Sequence, residues 1–276
     1  MRIEFTKMHG VGNDFVIFDA PVPDSLLAPH HLRALADRRT GIGFDQALLL
    51  APSARSPSAA FYRVFNADGD EVEQCGNGAR CIAALLHRRG LARDGTLTLE
   101  SPAGLIQARL AAGGEVSVDL GVPDFDPRSL PFDAPAEQQS YRLELDGESV
   151  EIGAVSLGNP HAVLTVDSVE SAPVARLGAL IERHARFPKR VNAGFLEIVA
   201  RDQVRLRVYE RGAGETRSCG TGACAAVAVA RRRGQLEADV RVQVRGGELR
   251  VNWAGVGEHI WLSGPAQISF QGHVEV

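Results

Sequence analysis

The sequence predicts an α+β fold of two pseudo-symmetric domains, each a curved, mixed or antiparallel, barrel-like β-sheet wrapped around a central α-helix. Two observations lead to this expectation. First, a long internal repeat divides the 276-residue chain into two similar halves. Second, each half contains segments of alternating apolar residues, which are typical of half-buried strands, and one segment that is apolar on every face. Such a segment is typical of a helix surrounded by protein.

The repeat is clearest around two cysteines. Residues 74–81 read QCGNGARC and residues 218–224 read SCGTGAC, so Cys219 lies 144 residues after Cys75. In each copy the cysteine precedes two glycines that flank a polar residue, and the predicted central helix follows. The runs CIAALL and ACAAVAVA predict that both helices are buried on all sides.

The match extends in the same order to both sides of the cysteines. Upstream, GNDFVIFD at 12–19 aligns with GNPHAVLTVD at 158–167. Downstream, 96–110 and 239–253 both alternate around a glycine-containing turn, which predicts a hairpin in each half. A period this long is not that of a solenoid and indicates two related domains.

The remaining elements follow from local signals. A further helix is predicted to end near Gly41 in the first half and near Phe187 in the second. The junction between the halves is predicted in the Pro- and Asp-rich stretch at 121–139, which is the least patterned part of the chain.

Composition excludes several classes of function. The formal net charge of −4 gives no reason to expect nucleic acid as a partner. No stretch approaches the length of an apolar membrane span, and the start of the chain lacks a signal-peptide core, so we expect a cytoplasmic protein. The four cysteines match neither a disulfide framework nor a zinc motif, so we expect free thiols and no metal.

The two repeated cysteines are candidate acid/base groups. A helix N-terminus favours the thiolate, and the N–H groups of the first helical turn bind anions such as a carboxylate. Two thiols on opposite sides of a carbon next to a carboxylate could remove its proton from one face and return one to the other, which inverts the configuration. No pyridoxal-binding motif is apparent, so no cofactor is expected.

These motifs resemble those of the diaminopimelate epimerase family, and the resemblance runs nearly end to end. The segments that carry it are KMHGVGNDFV (7–16), RRTGIGFDQ (38–46), FNADGDEVEQCGNGARC (65–81), GNPHAV (158–163), VNAGF (191–195) and YERGAGETRSCGTGAC (209–224).

The resemblance implies a pyridoxal-phosphate-independent isomerase that interconverts LL- and meso-diaminopimelate in lysine and peptidoglycan precursor biosynthesis. It implies a homodimer acting on a small molecule, and a C-terminal strand that returns to the first domain. The domains would then be residues 1–119 with 266–276, and residues 120–265. Cys75 and Cys219 would be catalytic, and His161 and Glu210 would tune their pKa values. The substrate-binding residues would be Asn13, Gln46, Asn66, Gly76, Asn77, Asn159, Asn192, Glu210, Arg211, Gly220 and Thr221.

Other functions are compatible with parts of the pattern. A proline or hydroxyproline racemase-like enzyme would share the two cysteines. An isomerase of the same fold would tend to lack them, and an inactive amino-acid-binding protein would not need them. The two copies differ at Asn66-Ala67 and Glu210-Arg211. Because a guanidinium suits a carboxylate and a carboxylate suits an ammonium, this difference favours a substrate with a second amino-acid end.

Overall fold

The structure is a computed structural model that describes residues 1–55, 59–72, 75–92, 94–111 and 113–275. The chain divides into two compact units. The first comprises Met1–Val118 and Gly264–Val276, and the second comprises Asp119–Ser263.

Strands outnumber helices in the described ranges. The strands are β1 (Arg2–Gly10), β2 (Asn13–Asp19), β3 (Gln46–Ala51), β4 (Ala60–Asn66), β5 (Glu71–Val72), β6 (Thr96–Ser101), β7 (Gly104–Leu110), β8 (Val116–Asp119), β9 (Tyr141–Leu145), β10 (Glu148–Ser156), β11 (Pro160–Thr165), β12 (Asn192–Ala200), β13 (Gln203–Glu210), β14 (Gly214–Glu215), β15 (Asp239–Val244), β16 (Gly247–Trp253), β17 (Ile260–Gly264) and β18 (Gln267–Glu275). The α-helices are α1 (Pro29–Ala36), α2 (Gly76–Arg88), α3 (Val174–Glu182) and α4 (Gly220–Arg232).

The sheet of the first unit has the strand order β18-β1-β2-β3-β4-β6-β7-β8, and β5 pairs with β4. The β2–β3 and β4–β6 pairs are parallel, and the other pairs are antiparallel. The C-terminal strand β18 therefore lies beside β1, at one edge of this sheet. The central strands β2 and β3 are buried on both faces, which explains their nearly continuous apolar sequences.

The second unit repeats this order as β9-β10-β11-β12-β13-β15-β16-β17, with β14 on β13. Its parallel pairs are β11–β12 and β13–β15, at the equivalent positions. The register is also repeated. Phe15 pairs with Gln46 in the first unit, and His161 pairs with Asn192, each 146 residues later, in the second.

Each sheet wraps around one helix. Helix α2 packs against β1, β6 and β7, and α4 packs against β10, β11, β12, β13 and β16. Helix α4 is buried from Gly220 to Ala230, which accounts for its apolar character on every face. The predicted α+β fold with a central helix in each half is confirmed. The sheets are open, because in the described part of each unit no pairing joins the two outermost strands.

The outer helices end earlier than the sequence predicted. Helix α1 ends at Ala36 and not near Gly41, because the Asp37 carboxylate accepts hydrogen bonds from the backbone N–H groups of Arg39 and Thr40, at 2.8 and 2.7 Å. A local turn of this kind competes with helix continuation. Helix α3 ends at Glu182, and the chain then passes through turns before it reaches Phe187.

No helix within the described ranges is both long and apolar enough to cross a membrane.

Candidate active site

The two repeated cysteines occupy the same position in the two units, immediately before the central helix. Cys75 has an extended backbone (φ −143°, ψ 117°), and its carbonyl accepts the first helical hydrogen bond from Ala79 N at 2.8 Å. Cys219 has φ −117° and ψ 110°, and its carbonyl accepts from Ala223 N at 3.0 Å. Both thiols thus lie at a helix N-terminus, where backbone N–H groups lack helical partners.

The Cys219 sulfur is buried and caps its own helix. It accepts a hydrogen bond from Gly222 N at 3.4 Å and lies 3.6 Å from Thr221 Oγ1. A Cβ atom at position 222 would stand 3.2 Å from this sulfur and 3.0 Å from Val208 Cγ2. The site therefore requires a residue without a side chain at position 222.

The surroundings of Cys219 favour the neutral thiol. Burial, and secondly the negative charge of Glu210, raise the pKa of the Cys219 thiol well above its ordinary value. The Thr221 hydroxyl and Gly222 N–H act in the opposite direction, because they stabilise the thiolate. Thr216 Oγ1 donates a hydrogen bond to Glu210 Oε1, which holds the carboxylate in place.

The Cys75 sulfur is only partly buried and faces an amide oxygen. Asn13 Oδ1 lies 4.0 Å from the sulfur and accepts a hydrogen bond from Asn77 Nδ2 at 3.1 Å. Asn77 Oδ1 in turn accepts from the fully buried Arg80 guanidinium at 2.8 Å. At the other end, Asn13 Nδ2 donates to Asp45 Oδ2 at 3.0 Å. The Asn13 amide is thus held between a cation-bound asparagine and a carboxylate.

The asparagine equivalent to Asn13 in the second unit is Asn159, and it is held differently. Asn159 Nδ2 donates to Thr221 Oγ1 at 3.3 Å, and Asn159 Oδ1 lies 3.0 Å from His161 Nε2. Burial lowers the pKa of His161 to about 3, with a smaller contribution from the charge of Arg211, so the ring is neutral near neutral pH. Its Nε2 then carries the proton donated to Asn159, and Nδ1 is unprotonated.

The other predicted substrate-binding residues form contacts at the ends of the neighbouring strands. In the first unit, Gln46 Nε2 donates to Asn66 Oδ1 at 2.8 Å across β3 and β4. In the second unit, Asn192 Nδ2 donates to Pro160 O at 3.1 Å, and Arg211 N donates to Asn192 Oδ1 at 2.9 Å.

The structure therefore gathers the predicted residues into two clusters, one in each unit. The first-unit cluster consists of Cys75, Gly76, Asn77 and Asn13, with the Gln46–Asn66 pair at the adjoining strand ends. The second-unit cluster consists of Cys219, Gly220, Thr221, Glu210, Asn159 and His161, with Asn192 bonded to Arg211. The other two cysteines, Cys81 and Cys224, are free thiols that are fully buried inside the central helices.

Three charged residues that were not predicted as site residues support these clusters. Arg80 lies directly before the run CIAALL, which predicts a helix that is apolar on every face. A cation next to such a run signals a buried partner, because charged side chains are rarely buried alone. Asp45 lies directly before Gln46 and binds Asn13. Glu182 is 2% exposed and accepts from Gly212 N at 3.1 Å, next to Arg211. No local pattern identifies this last contact.

The described residues contain no group of three or more His, Cys, Asp or Glu side chains placed to hold a metal ion.

Solved structures of low sequence identity share this fold. A hydroxyproline epimerase from Agrobacterium vitis aligns with a TM-score of 0.75 at 18% identity, over 99% of this chain and 92% of that one. A PhzF-family phenazine biosynthesis protein from Bacillus anthracis aligns with a TM-score of 0.69 at 17% identity, over 100% of both chains.

In this duplicated α+β fold, each central helix begins directly after a cysteine. A family model described as diaminopimelate epimerase matches residues 5–125 and 153–269. Proteins named diaminopimelate epimerase from Alkalilimnicola ehrlichii and Thioalkalivibrio sulfidiphilus are 51% and 52% identical to this chain, each over 100% of both sequences. The chain belongs to the diaminopimelate epimerase family.

Proposed function

We propose that this protein interconverts LL-diaminopimelate and meso-diaminopimelate without a cofactor, as a step in lysine and peptidoglycan precursor biosynthesis. Besides family membership, one structural observation supports this proposal. The duplicated units each present a cysteine sulfur at the N-terminus of the central helix. Two acid/base groups of the same type suit a reaction that must run in both directions at one carbon.

The proposed reaction exchanges one hydrogen of the substrate. A cysteine thiolate takes the α-proton and becomes a thiol, and the electron pair of the C–H bond remains on the α-carbon. The thiol of the other cysteine then donates its proton to the opposite face of that carbon and becomes a thiolate. The product has the inverted configuration, and the two sulfurs have exchanged protonation states.

The helix N-termini stabilise the intermediate. Negative charge that develops at the α-carbon spreads onto the adjacent carboxylate. Backbone N–H groups at Gly76-Asn77 and Gly220-Thr221 are placed to donate hydrogen bonds to such a carboxylate, and the helix dipoles favour its charge. These contacts provide the electrostatic stabilisation that a pyridoxal group supplies in other amino-acid racemases.

The surroundings of the two sulfurs suggest which one begins as the acid. Burial and Glu210 raise the pKa of Cys219, so Cys219 enters the reaction as a thiol. Once it has given up its proton, the Gly222 N–H and the Thr221 hydroxyl are in position to stabilise the thiolate. In the direction that starts from this state, proton removal is then assigned to Cys75, which is partly buried whereas Cys219 is buried. In the reverse direction the two cysteines exchange these roles.

The residues outside the two helix starts are proposed to hold the rest of the substrate. Asn13, Asn159 and Gln46 would contact the reacting end of the substrate. Because Asn66 in one unit corresponds to Glu210 in the other, we assign recognition of the distal amino-acid end to the asymmetric residues. These are Asn66, Asn192, Glu210 and Arg211.

The assembly is also a proposal. The functional halves are residues 1–119 with 266–276, and residues 120–265, and the enzyme acts as a cytoplasmic homodimer. Family membership supports these statements. Sedimentation equilibrium tests the dimer, and a monomer at concentrations that retain full activity would refute it.

Deuterium wash-in from D₂O tests the mechanism. With LL-diaminopimelate, the wild-type enzyme should form the meso isomer and incorporate deuterium at the epimerised carbon. Cys75→Ala and Cys219→Ala should each lose epimerisation, while the remaining thiol of either variant could still exchange the α-proton at one face. Epimerisation in both directions by either variant would refute the two-thiol scheme. Proline serves as the competing substrate, and inversion of proline in preference to diaminopimelate would favour a racemase-like function.

The assignment of the distal end has its own test. Arg211→Lys keeps the charge but loses the paired hydrogen bonds that a guanidinium makes with a carboxylate. We expect KM for diaminopimelate to rise by about tenfold, the order of one charge-assisted hydrogen bond. Unchanged KM and kcat would refute this assignment and leave the two-thiol mechanism intact.

A further inference from the structure

The first-unit cluster contains an uninterrupted chain of side-chain hydrogen bonds with a full charge at each end. Arg80 donates to Asn77 Oδ1 at 2.8 Å, Asn77 Nδ2 donates to Asn13 Oδ1 at 3.1 Å, and Asn13 Nδ2 donates to Asp45 Oδ2 at 3.0 Å. The Arg80 cation orients the Asn77 amide with its oxygen toward the guanidinium. The Asp45 anion orients the Asn13 amide with its nitrogen toward the carboxylate. Charge-assisted hydrogen bonds of this kind are the stronger ones.

The Asp45 carboxylate is itself rigidly held. Besides Asn13, its Oδ2 accepts from Asp14 N at 3.0 Å, and its Oδ1 accepts from the Arg38 guanidinium at 2.7 Å. Asp45 N donates to Asp14 Oδ1 at 3.1 Å, so the two aspartates bind each other reciprocally. The Nδ2 group of Asn13 therefore donates to a carboxylate whose orientation is set by two further hydrogen bonds.

We propose that Asp45 is a positioning residue, whose carboxylate fixes the Asn13 amide with the carbonyl oxygen toward the Cys75 sulfur. An amide oxygen accepts a hydrogen bond from a thiol but repels a thiolate, whereas an amide N–H would stabilise the thiolate. The fixed orientation keeps the sulfur a strong base. Loss of Asp45 leaves the Asn13 amide held only by Asn77, free to turn its N–H toward the sulfur.

Other titratable groups near the sulfur do not supply this effect. Burial raises the pKa of Tyr62 on β4 above its ordinary range and the pKa of Cys81 on α2 to about 12, so both are neutral near neutral pH. Among the described residues, the charged groups linked to this hydrogen-bond chain are Arg80 on α2, Lys7 on β1, Asp14 on β2, and Arg38 and Asp45 in the segment before β3.

The proposal predicts a change in the acidity of Cys75 that needs no substrate. The pH midpoint of Cys75 alkylation by iodoacetamide is followed by mass spectrometry of the peptide that contains it; the other three cysteines are buried. Asp45→Ala should lower the midpoint by about one pH unit, the order expected when one charged or hydrogen-bonded neighbour changes. Asp45→Asn keeps an oxygen that can accept from Asn13, so its shift should be smaller.

Loss of the Asp45 charge lowers the midpoint even if the amide does not turn, so the contribution of Asn13 must be isolated. In an Asn13→Ala background, Asp45→Ala retains only this charge effect. The shift should therefore be at least twofold smaller in that background, as measured by a double-mutant cycle. Equal shifts in both backgrounds would overturn the proposal.

Two further variants control for misfolding and for the loss of a carboxylate elsewhere on β2. Asp45→Ser keeps a short side-chain acceptor for the loop. It should shift the alkylation midpoint as much as Asp45→Ala does, and it replaces the alanine variant if that variant does not fold. Asp19→Asn neutralises a carboxylate at the other end of β2, where it pairs with Arg89, and should leave the midpoint unchanged.

The kinetic consequence rests on the proposed function. With diaminopimelate, Asp45→Ala should lower kcat/KM by about tenfold relative to Asp45→Asn, the order of one oriented hydrogen bond at a reacting group. Equal kcat/KM values for the two variants would refute the kinetic role. Because the alkylation measurement uses no substrate, it can fail while epimerisation stands, and it can succeed on an enzyme that proves to use another substrate.

Discussion

Asn13 and Asn159 occupy equivalent positions in the two units and present opposite ends of their amides to the adjacent central helix. Asn13 accepts from Asn77 through its oxygen, whereas Asn159 donates to Thr221 through its nitrogen. The difference follows from the group on the far side of each amide. Asp45, an acceptor, binds the Asn13 nitrogen, and His161 binds the Asn159 oxygen.

This reversal gives the duplicated sites unlike chemistry. In the second unit the Thr221 hydroxyl accepts from Asn159, which leaves its own proton available for the Cys219 sulfur 3.6 Å away. In the first unit the residue equivalent to Thr221 is Asn77, whose side chain is an amide, and the sulfur faces the Asn13 oxygen. Under the proposed mechanism, the site around Cys219 would stabilise the anion that remains when this thiol gives up its proton, and the site around Cys75 would take a proton up.

The acidity of Cys219 should respond to Glu210. Glu210→Gln removes the negative charge that opposes the thiolate, so the pKa of Cys219 should fall, while burial should keep it above its ordinary value. The ultraviolet absorbance of the thiolate during a pH titration measures this in a Cys75→Ala background. Glu215→Gln is the matched control, because Glu215 pairs with Arg207 at 2.7 Å. An unchanged titration of Cys219 in Glu210→Gln would contradict the assigned role of Glu210.

The glycine after Thr221 should be more sensitive to substitution than its counterpart in the first unit. In Gly222→Ala the new Cβ meets Val208 at 3.0 Å and the Cys219 sulfur at 3.2 Å. We therefore expect the sulfur to shift and its hydrogen bond with the Gly222 N–H to weaken. In Gly78→Ala the nearest atom is a Leu48 methyl group at 3.3 Å, which can move aside.

We expect Gly222→Ala to lower kcat by about a hundredfold, the order reported when one stabilising donor is lost from a reacting centre. Gly78→Ala should lose several times less. Comparable losses in both variants, measured as initial rates of epimerisation, would show that the sulfur contact is not the reason glycine is required.

The cluster of Lys7, Asp14 and Arg38 should make stability depend on pH in the acidic range. Although burial opposes it, hydrogen bonds from Arg38 and Lys7 lower the pKa of Asp14 from an ordinary 3.8 to about 2. The ionised form is therefore favoured in the folded state. The resulting stability is present above about pH 4 and is lost as the pH falls through about 2.

Asp14→Asn should thus lower the free energy of unfolding by about 2 kcal/mol near neutral pH and flatten its acid dependence. Urea denaturation over this pH range measures both effects. Asp19→Asn breaks an exposed pair with Arg89 and should cost less than about 1 kcal/mol. If the two variants lose the same free energy of unfolding, the ion pairs of Asp14 with Lys7 and Arg38 stabilise the fold no more than an exposed ion pair does.

The repeat was visible in the sequence because strand register is preserved between the halves. The offset of 146 residues from Asn13 to Asn159 reappears in the parallel pairs Phe15–Gln46 and His161–Asn192. Strands with alternating burial and a fully buried helix both produce regular patterns of apolar residues. The fold class and the positions of both cysteines could therefore be predicted from the sequence.

The supporting charges could not be predicted in the same way. Asp45 binds Asn13 across 32 positions, and the contact depends on how a loop folds back on β2. The role of Arg80 could not be predicted because its neighbours in α2 are apolar. Its buried guanidinium binds the amide of Asn77, and residue order does not reveal this contact. The ends of α1 and α3 were misplaced because single side-chain contacts and turns, such as that at Asp37, decide where a helix stops.

The buried Glu182 should affect binding of the distal end of the substrate more than the chemical step. Its carboxylate accepts from Gly212 N at 3.1 Å and from Arg190 at 3.3 Å, and its backbone carbonyl accepts from Val191 N at 3.2 Å. It therefore links the turn that follows Arg211 to the segment that precedes Asn192. Glu182→Gln removes the charge and, at one of its two terminal atoms, an acceptor.

We expect Glu182→Gln to raise KM for diaminopimelate by about tenfold with a smaller change in kcat, the order of one buried charge-assisted hydrogen bond. Lysine, which lacks the distal carboxylate, supplies the control substrate. The rate of α-proton exchange of lysine with D₂O should be the same in Glu182→Gln and the wild type if Glu182 acts only through the distal end. Glu197→Gln is the comparison variant, because Glu197 is partly buried and likewise pairs with an arginine, Arg205. Equal losses of exchange with both substrates would instead indicate that Glu182 maintains the fold of the second unit as a whole.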